Sequence, residues 1–216
     1  MYYLNNNPHP LPSPRELTVT GNGKVNAKAS YVQVQLEVIT KGEDVSKPQQ
    51  ENAIIMNRVI QSILELNIPR EDIQTVAYNI APIYEYIEGK QIFKGYEVSN
   101  AINVKIKDIS QVGTVIDTAV ENGTNRVSAI QFQIENADLY YQQALSVALQ
   151  NAQMKAATIA KTMQLNLHPQ PIEIVEENAG GPVLYKSVAM AEQNISTPIE
   201  QGQMTIHATV RVKYQY

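Results

Sequence analysis

The sequence predicts an α+β fold, antiparallel sheets packed by helices, with elements in the order ββαββ and then αβαββ. Three patterns carry this. Residues Tyr31–Thr40 alternate, with Val32, Val34, Leu36 and Val38 facing one way and Gln33, Gln35 and Glu37 the other. One buried and one wet face is the mark of a strand in an antiparallel sheet. Ala144, Ala148, Ala152, Ala156 and Ala160 recur every four residues, a row of small side chains on one face of a helix from Asn136 to Met163. That helix is roughly 40 Å long at 1.5 Å per residue, and its small face lets a sheet or another helix approach closely. Finally, Gln203–Tyr214 alternates again, with Met204, Ile206, Ala208, Val210 and Val212 against Thr205, His207, Thr209, Arg211 and Lys213.

The elements follow in order. Residues 5–14, rich in Asn and Pro, read as an extended lead-in. Glu16–Thr20 is a first strand, and Gly21-Asn22-Gly23 reads as a turn, since no helix follows to make it a phosphate loop. After the strand Tyr31–Thr40, Ser46-Lys47-Pro48-Gln49 reads as a capping box opening a helix with the stripe Ala53, Met56, Ile60 and Ile63. Asn67 suits a left-handed helix end, and Pro69 blocks continuation. A long hairpin joins Ile73–Tyr86 to Phe93–Lys107 around Glu88-Gly89-Lys90, and Pro82 marks a bulge or an unpaired edge position. Asp108 caps a helix with the stripe Val112, Val115, Ile116 and Ala119, which stops at Asn122-Gly123.

Val127–Ile134 is the next strand and leads into the long helix, capped by Asn136 with Asp138 at the positive end of its dipole. A second line on that helix, Tyr141, Leu145, Ala148, Ala152, Ala156, Ile159 and Met163, follows helical apolar spacing. A strand at Pro171–Glu177 precedes residues 178–202, which have no clear period. A stretch of that length without secondary structure is usually functional, interfacial or disordered. The two halves of the order are alike, but no residue-level repeat accompanies them.

Composition narrows the function. The net charge of −4 and the lack of any basic run argue against a nucleic-acid binder. The chain has no Cys, so it holds no disulfide, thiolate metal site or cysteine nucleophile. No apolar run reaches the ~20 residues a membrane-spanning helix needs. Residues 1–10 lack a basic, apolar leader pattern, so the expected location is cytoplasmic, or extracytoplasmic if a leader has been removed. His9, His168 and His207 stand at no metal-ligand spacing, and Glu85, Glu88, Glu176 and Glu177 lie at turns and strand ends. The expectation is therefore no catalytic residue, no metal and no cofactor. The tyrosines carry more. Of the twelve, Tyr78, Tyr84, Tyr86 and Tyr96 crowd the long hairpin, and they are the candidate interface residues. Ordinary cross-strand packing is the alternative explanation for them.

The segments Leu17–Gly23, Ile73-Gln74-Thr75 leading to Ile80–Tyr84, Gly95–Asn100, Ala152–Ala160 and Pro198–Gly202 resemble, in order and spacing, the SIMPL-domain family, which includes YggE-like and periplasmic immunogenic proteins. The resemblance covers Glu16 to Tyr214. It implies two small α/β subdomains, the second ferredoxin-like, self-association into homo-oligomers, and a link to stress tolerance or the cell envelope. It brings no catalytic residues. The expected division is a lead-in at 1–15, a first subdomain at 16–90 with 200–216, and a second at 91–199 that includes the segment 178–202. The expected function is that of a non-enzymatic, self-associating protein. The alternative is a small-molecule or peptide binder with a pocket between the subdomains.

Overall fold

A computed structural model describes residues 15–177, 183–185, 197–199 and 202–216. The strands are β1 (Glu16–Ala27), β2 (Tyr31–Gly42), β3 (Ile73–Ile87), β4 (Lys90–Ile106), β5 (Arg126–Gln133), β6 (Pro171–Glu177), β7 (Val183–Tyr185) and β8 (Gln203–Gln215). The helices are α1 (Ser46–Glu65), α2 (Val112–Glu121) and α3 (Ala137–Met163). Helices and two antiparallel sheets make this an α+β fold, as the sequence predicts. The addition is β7, which falls in the stretch without clear period and pairs with β8. The lead-in 1–14 and most of 178–202 lie outside the described residues.

The chain divides into two compact units: β2 to β5 with α1 and α2, and β1 with α3, β6 and β8. The boundaries fall after Ala27 and before Asn136, not between residues 90 and 91. Strand pairing is the reason. β1 pairs with β8 from Glu16↔Gln215 to Ala27↔Met204. β3 and β4 pair from Ile73↔Val104 through to Ile87↔Lys90, so no boundary can pass through their turn.

In the two-helix unit the sheet order is β3-β4-β2-β5, and every adjacent pair is antiparallel. Strand β4 lies between β2 and β3, which α1 connects, and this is the split βαβ arrangement. Alternation on β2 and β4 buries Val32, Val34, Leu36, Val38, Ile102, Val104 and Ile106 against Met56, Val59 and Ile63 of α1 and Val112, Val115, Ile116 and Ala119 of α2. Asn67 and Gly123 take positive φ of 62° and 115°, ending α1 and α2 where expected. Asp108 accepts a bond from the Ser110 backbone N–H at 3.1 Å and heads a 3-10 turn into α2.

Helix α1 departs from its predicted details. Ser46 lies inside the helix, Val45 is the N-cap residue, and the Asp44 carboxylate before it accepts from the Lys47 N–H at 3.0 Å. The stripe is rotated, with Ala53 exposed and Asn52 fully buried. Burial of that amide has a purpose: its Nδ2 donates to the Val38 and Val98 carbonyls at 2.9 and 3.2 Å, tying α1 to β2 and β4. Truncation leaves both carbonyls buried with one donor fewer. Asn52→Ala is expected to cost about 2 kcal/mol or more in urea unfolding, and an unchanged midpoint would contradict this role.

In the one-helix unit β8 lies between β1 and β6, with β7 also pairing β8. Strand β1 runs unbroken through Gly21-Asn22-Gly23, so the predicted turn is not there. The glycines serve a close approach instead. A Cβ on Gly21 would lie 2.1 Å from the Ala148 carbonyl oxygen, and one on Gly23 1.9 Å from that of Ala144. Helix α3 thus seats its alanine row directly on the strand, and all five alanines are buried. The second apolar line shares Ala148, Ala152 and Ala156 with that row, but its other members are not buried: Tyr141 and Leu145 are half-buried and Ile159 and Met163 exposed, Met163 by 65%, because contact this close is one residue row wide. Asn136 caps α3 with no side-chain bond.

Two further side chains of α3 close the outer edge of β1. Asn151 Oδ1 accepts from the Asn22 N–H at 3.1 Å, and Lys155 Nζ donates to the Thr20 carbonyl at 2.7 Å. Across the unit, Tyr141 donates its hydroxyl to Glu176 of β6. That bond, helped by burial and by the carboxylate's charge, pushes the phenol up to about 12. A pKa above the unfolded value of about 10 means the bond stabilises the fold fully below pH 10 and is lost as pH rises through 12. The stability gap between the wild type and Tyr141→Phe, read from melting curves, should therefore close over that range, and a constant gap would contradict it.

Candidate functional site

The β3–β4 hairpin outruns its sheet. Strand β2 stops at Gly42, opposite Tyr96, and β3 and β4 continue as a two-stranded ribbon over residues 83–94. Glu88 and Gly89 turn it with φ of 49° and 78°, the positive pair that a tight hairpin turn requires. At its base Gly95, with φ 122°, lies against β2: a Cβ there would meet the Gly42 carbonyl oxygen at 2.2 Å. The register shifts between Ile83 and Tyr84, next to Pro82, as the proline suggested. The outer side of β3 is a sheet edge, and among the described residues no side chain bonds to its backbone.

The ribbon carries apolar side chains with little to bury them. Tyr84, Tyr86, Ile87, Ile92 and Phe93 are all exposed, Tyr86 by 72%. The rings of Tyr84 and Phe93 meet edge to face at 5.8 Å, and those of Phe93 and Tyr96 at 5.3 Å. Phe93 therefore links two of the tyrosines singled out from the sequence, and half-buried Tyr96 anchors the stack at the ribbon base. Tyr86 stands near the tip. Tyr78 lies apart, exposed and paired with Asn100 in the body of the sheet. Sequence reasoning passed over Phe93, Ile87 and Ile92, although alternation around a two-residue turn would have placed Phe93 beside the tyrosines and Ile87 with Ile92 on the opposite face. A two-stranded ribbon has no core of its own, so its apolar residues are covered only by a partner.

The other candidates separate. Glu85 pairs with Lys94 at 2.9 Å, and Glu88 is in the turn. Glu176 accepts from Tyr141 while Glu177 pairs with Arg211, so the neighbouring carboxylates do not converge. His207 lies on β8 opposite Lys24, the backbone N–H of His168 donates to Gln215, and His9 is outside the described residues. Among the described residues no group of three or more His, Asp or Glu is placed to hold a metal. A groove of about 260 Å³ runs between α3 and β6, lined in part by Leu149, Pro171, Ile174 and Val212. Among the described residues no helix is long and apolar enough to cross a membrane.

Comparison with known proteins places the chain. The model of the SIMPL family, described as a protein of unknown function (DUF541), matches residues 17–214. The 26 kDa periplasmic immunogenic protein of Brucella melitensis is 25% identical over 218 residues, 94% of this chain and 85% of that protein. Its counterpart in Brucella abortus is 24% identical over the same length. The uncharacterized protein YggE of Escherichia coli K12 is 26% identical over 162 residues, 74% of this chain and 65% of YggE. These relatives overturn the expected cytoplasmic location, since two of them are named as periplasmic. That expectation rested on the make-up of residues 1–10, which carries no information about compartment.

Proposed function

The chain belongs to the SIMPL family, and from that premise we propose that it is a non-enzymatic, self-associating protein of an extracytoplasmic compartment. One observation carries the association: a ribbon that projects past its sheet and exposes Tyr84, Tyr86, Ile87, Ile92 and Phe93. Surfaces of this kind are rimmed with polar residues and enriched in tyrosine where proteins meet. The contrast between edges supports the same reading. The edge of β1 is closed by Asn151 and Lys155, whereas β3 has no such cover among the described residues. Edges left open are used or guarded, and Pro82, which has no N–H to give, guards this one against indefinite strand addition. Side chains of the ribbon, more than its backbone, then make the contact.

The location follows the two Brucella relatives, which are named as periplasmic proteins. The βαββαβ order of residues 31–133 supports a ferredoxin-like plait, in the two-helix unit rather than at 91–199. Solution mass by light scattering tests the association. Aspartate at Tyr84 and Tyr86 should lower the mass while the far-ultraviolet circular dichroism stays that of the wild type. An unchanged mass would remove the ribbon from the interface.

A further inference from the structure

We propose that the groove between α3 and β6 is a binding site for a small uncharged molecule, one with an apolar body and a hydrogen-bond acceptor that the Tyr214 hydroxyl holds. The groove lies wholly within the one-helix unit, and the inference stands apart from the association proposed above.

The close seating of α3 makes the groove. The alanine row brings the helix onto β1 through Gly21 and Gly23, so its cover does not extend to β6, which lies beyond β8. Every residue from Pro171 to Glu176 is exposed, Ile174 by 54%. Leu149, Ile174 and Val212 give the space between helix and strand an apolar lining. At one end the Tyr141–Glu176 bond crosses from α3 to β6 and closes it. The volume is about 260 Å³, just under the about 300–1,000 Å³ of sites for drug-sized ligands, so the fitting ligand is small.

Tyr214 points to a ligand rather than to packing alone. It is 4% exposed and lines the groove. A phenol buried this far usually gives its hydroxyl a partner. Tyr141 has Glu176, whereas no described residue bonds to the Tyr214 hydroxyl, and burial alone raises its pKa. A carbonyl or ether oxygen in the groove supplies the missing acceptor.

The remaining lining sets the charge. Ser146, Gln150 and Gln153, four and three residues apart, turn neutral hydrogen-bonding groups from one face of α3 to the groove, and no charged side chain lines it. Glu173 and Glu177 of β6 alternate to the other face, where they pair with Lys213 and Arg211. An ionised ligand would lose its hydration in the groove with no counter-charge in return, so a neutral one is favoured.

The fluorescent ketone prodan has this chemistry, an uncharged naphthalene body with one carbonyl. The chain has no tryptophan, so the dye is read without background. Titration is expected to give a saturable blue shift with one dye per chain. Tyr214→Phe keeps the ring and removes only the hydroxyl, and it is expected to weaken binding about five-fold. Ile174→Asp, at an exposed position, is expected to weaken it at least about ten-fold. Acetylnaphthalene should compete for the site, and naphthoate, nearly the same shape with a charge, should compete at least about ten-fold less well. Absence of saturable binding would overturn the inference. So would full binding by Ile174→Asp, which would place the dye elsewhere, or by Tyr214→Phe, which would take the hydroxyl out of the site. Equal competition by naphthoate would overturn the uncharged class.

Discussion

Gly23→Ala is expected to cost at least about 3 kcal/mol, enough to unfold the one-helix unit at moderate temperature. The added methyl would stand 1.9 Å from the Ala144 carbonyl oxygen and 2.7 Å from the Ala148 nitrogen. Both are backbone atoms of α3, so no side-chain rotation relieves the clash. The helix must lift off β1, and lifting breaks more than one contact. The alanine row loses its packing, Asn151 and Lys155 lose the edge of β1, and Tyr141 loses Glu176. Gly89→Ala is the control. Nothing lies within 4 Å of a Cβ there, although φ is 78°. Its cost is expected to stay near 1 kcal/mol. Urea unfolding of both variants checks this, and a Gly23→Ala midpoint near that of Gly89→Ala would contradict the close seating of α3.

The second large effect is on assembly. Tyr84→Asp with Tyr86→Asp places two charges on the most exposed part of the ribbon. An interface anchor of this kind is worth about 2 kcal/mol or more, so association should weaken by at least about 30-fold. The protomer should remain folded, because the ribbon contributes nothing to the buried core of its unit. Tyr78→Asp, in the body of the sheet, is expected to do less. A larger effect at Tyr78 than at Tyr86 would move the interface from the ribbon to the sheet.

Much of this architecture was legible because it follows short-range rules. Alternation located β2, β4 and β8, and four-residue recurrence of alanine located the packed face of α3. What stayed hidden depends on partners far away in sequence. Gly21-Asn22-Gly23 reads as a turn until α3, more than a hundred residues on, is laid over it. Asn52 reads as a surface residue until the carbonyls of Val38 and Val98 are brought under it. The division into units was misplaced for the same reason: β1 pairs with a strand at the other end of the chain. At the candidate site, the tyrosines stand out by composition, whereas the projection of the ribbon depends on where β2 stops.

The central claim is that this protein works as an assembly, and its solution mass tests it most directly. Light scattering after size exclusion, over a range of concentrations, should give a stable multiple of 24.1 kDa for the wild type. A mass of 24.1 kDa at every concentration would contradict the claim.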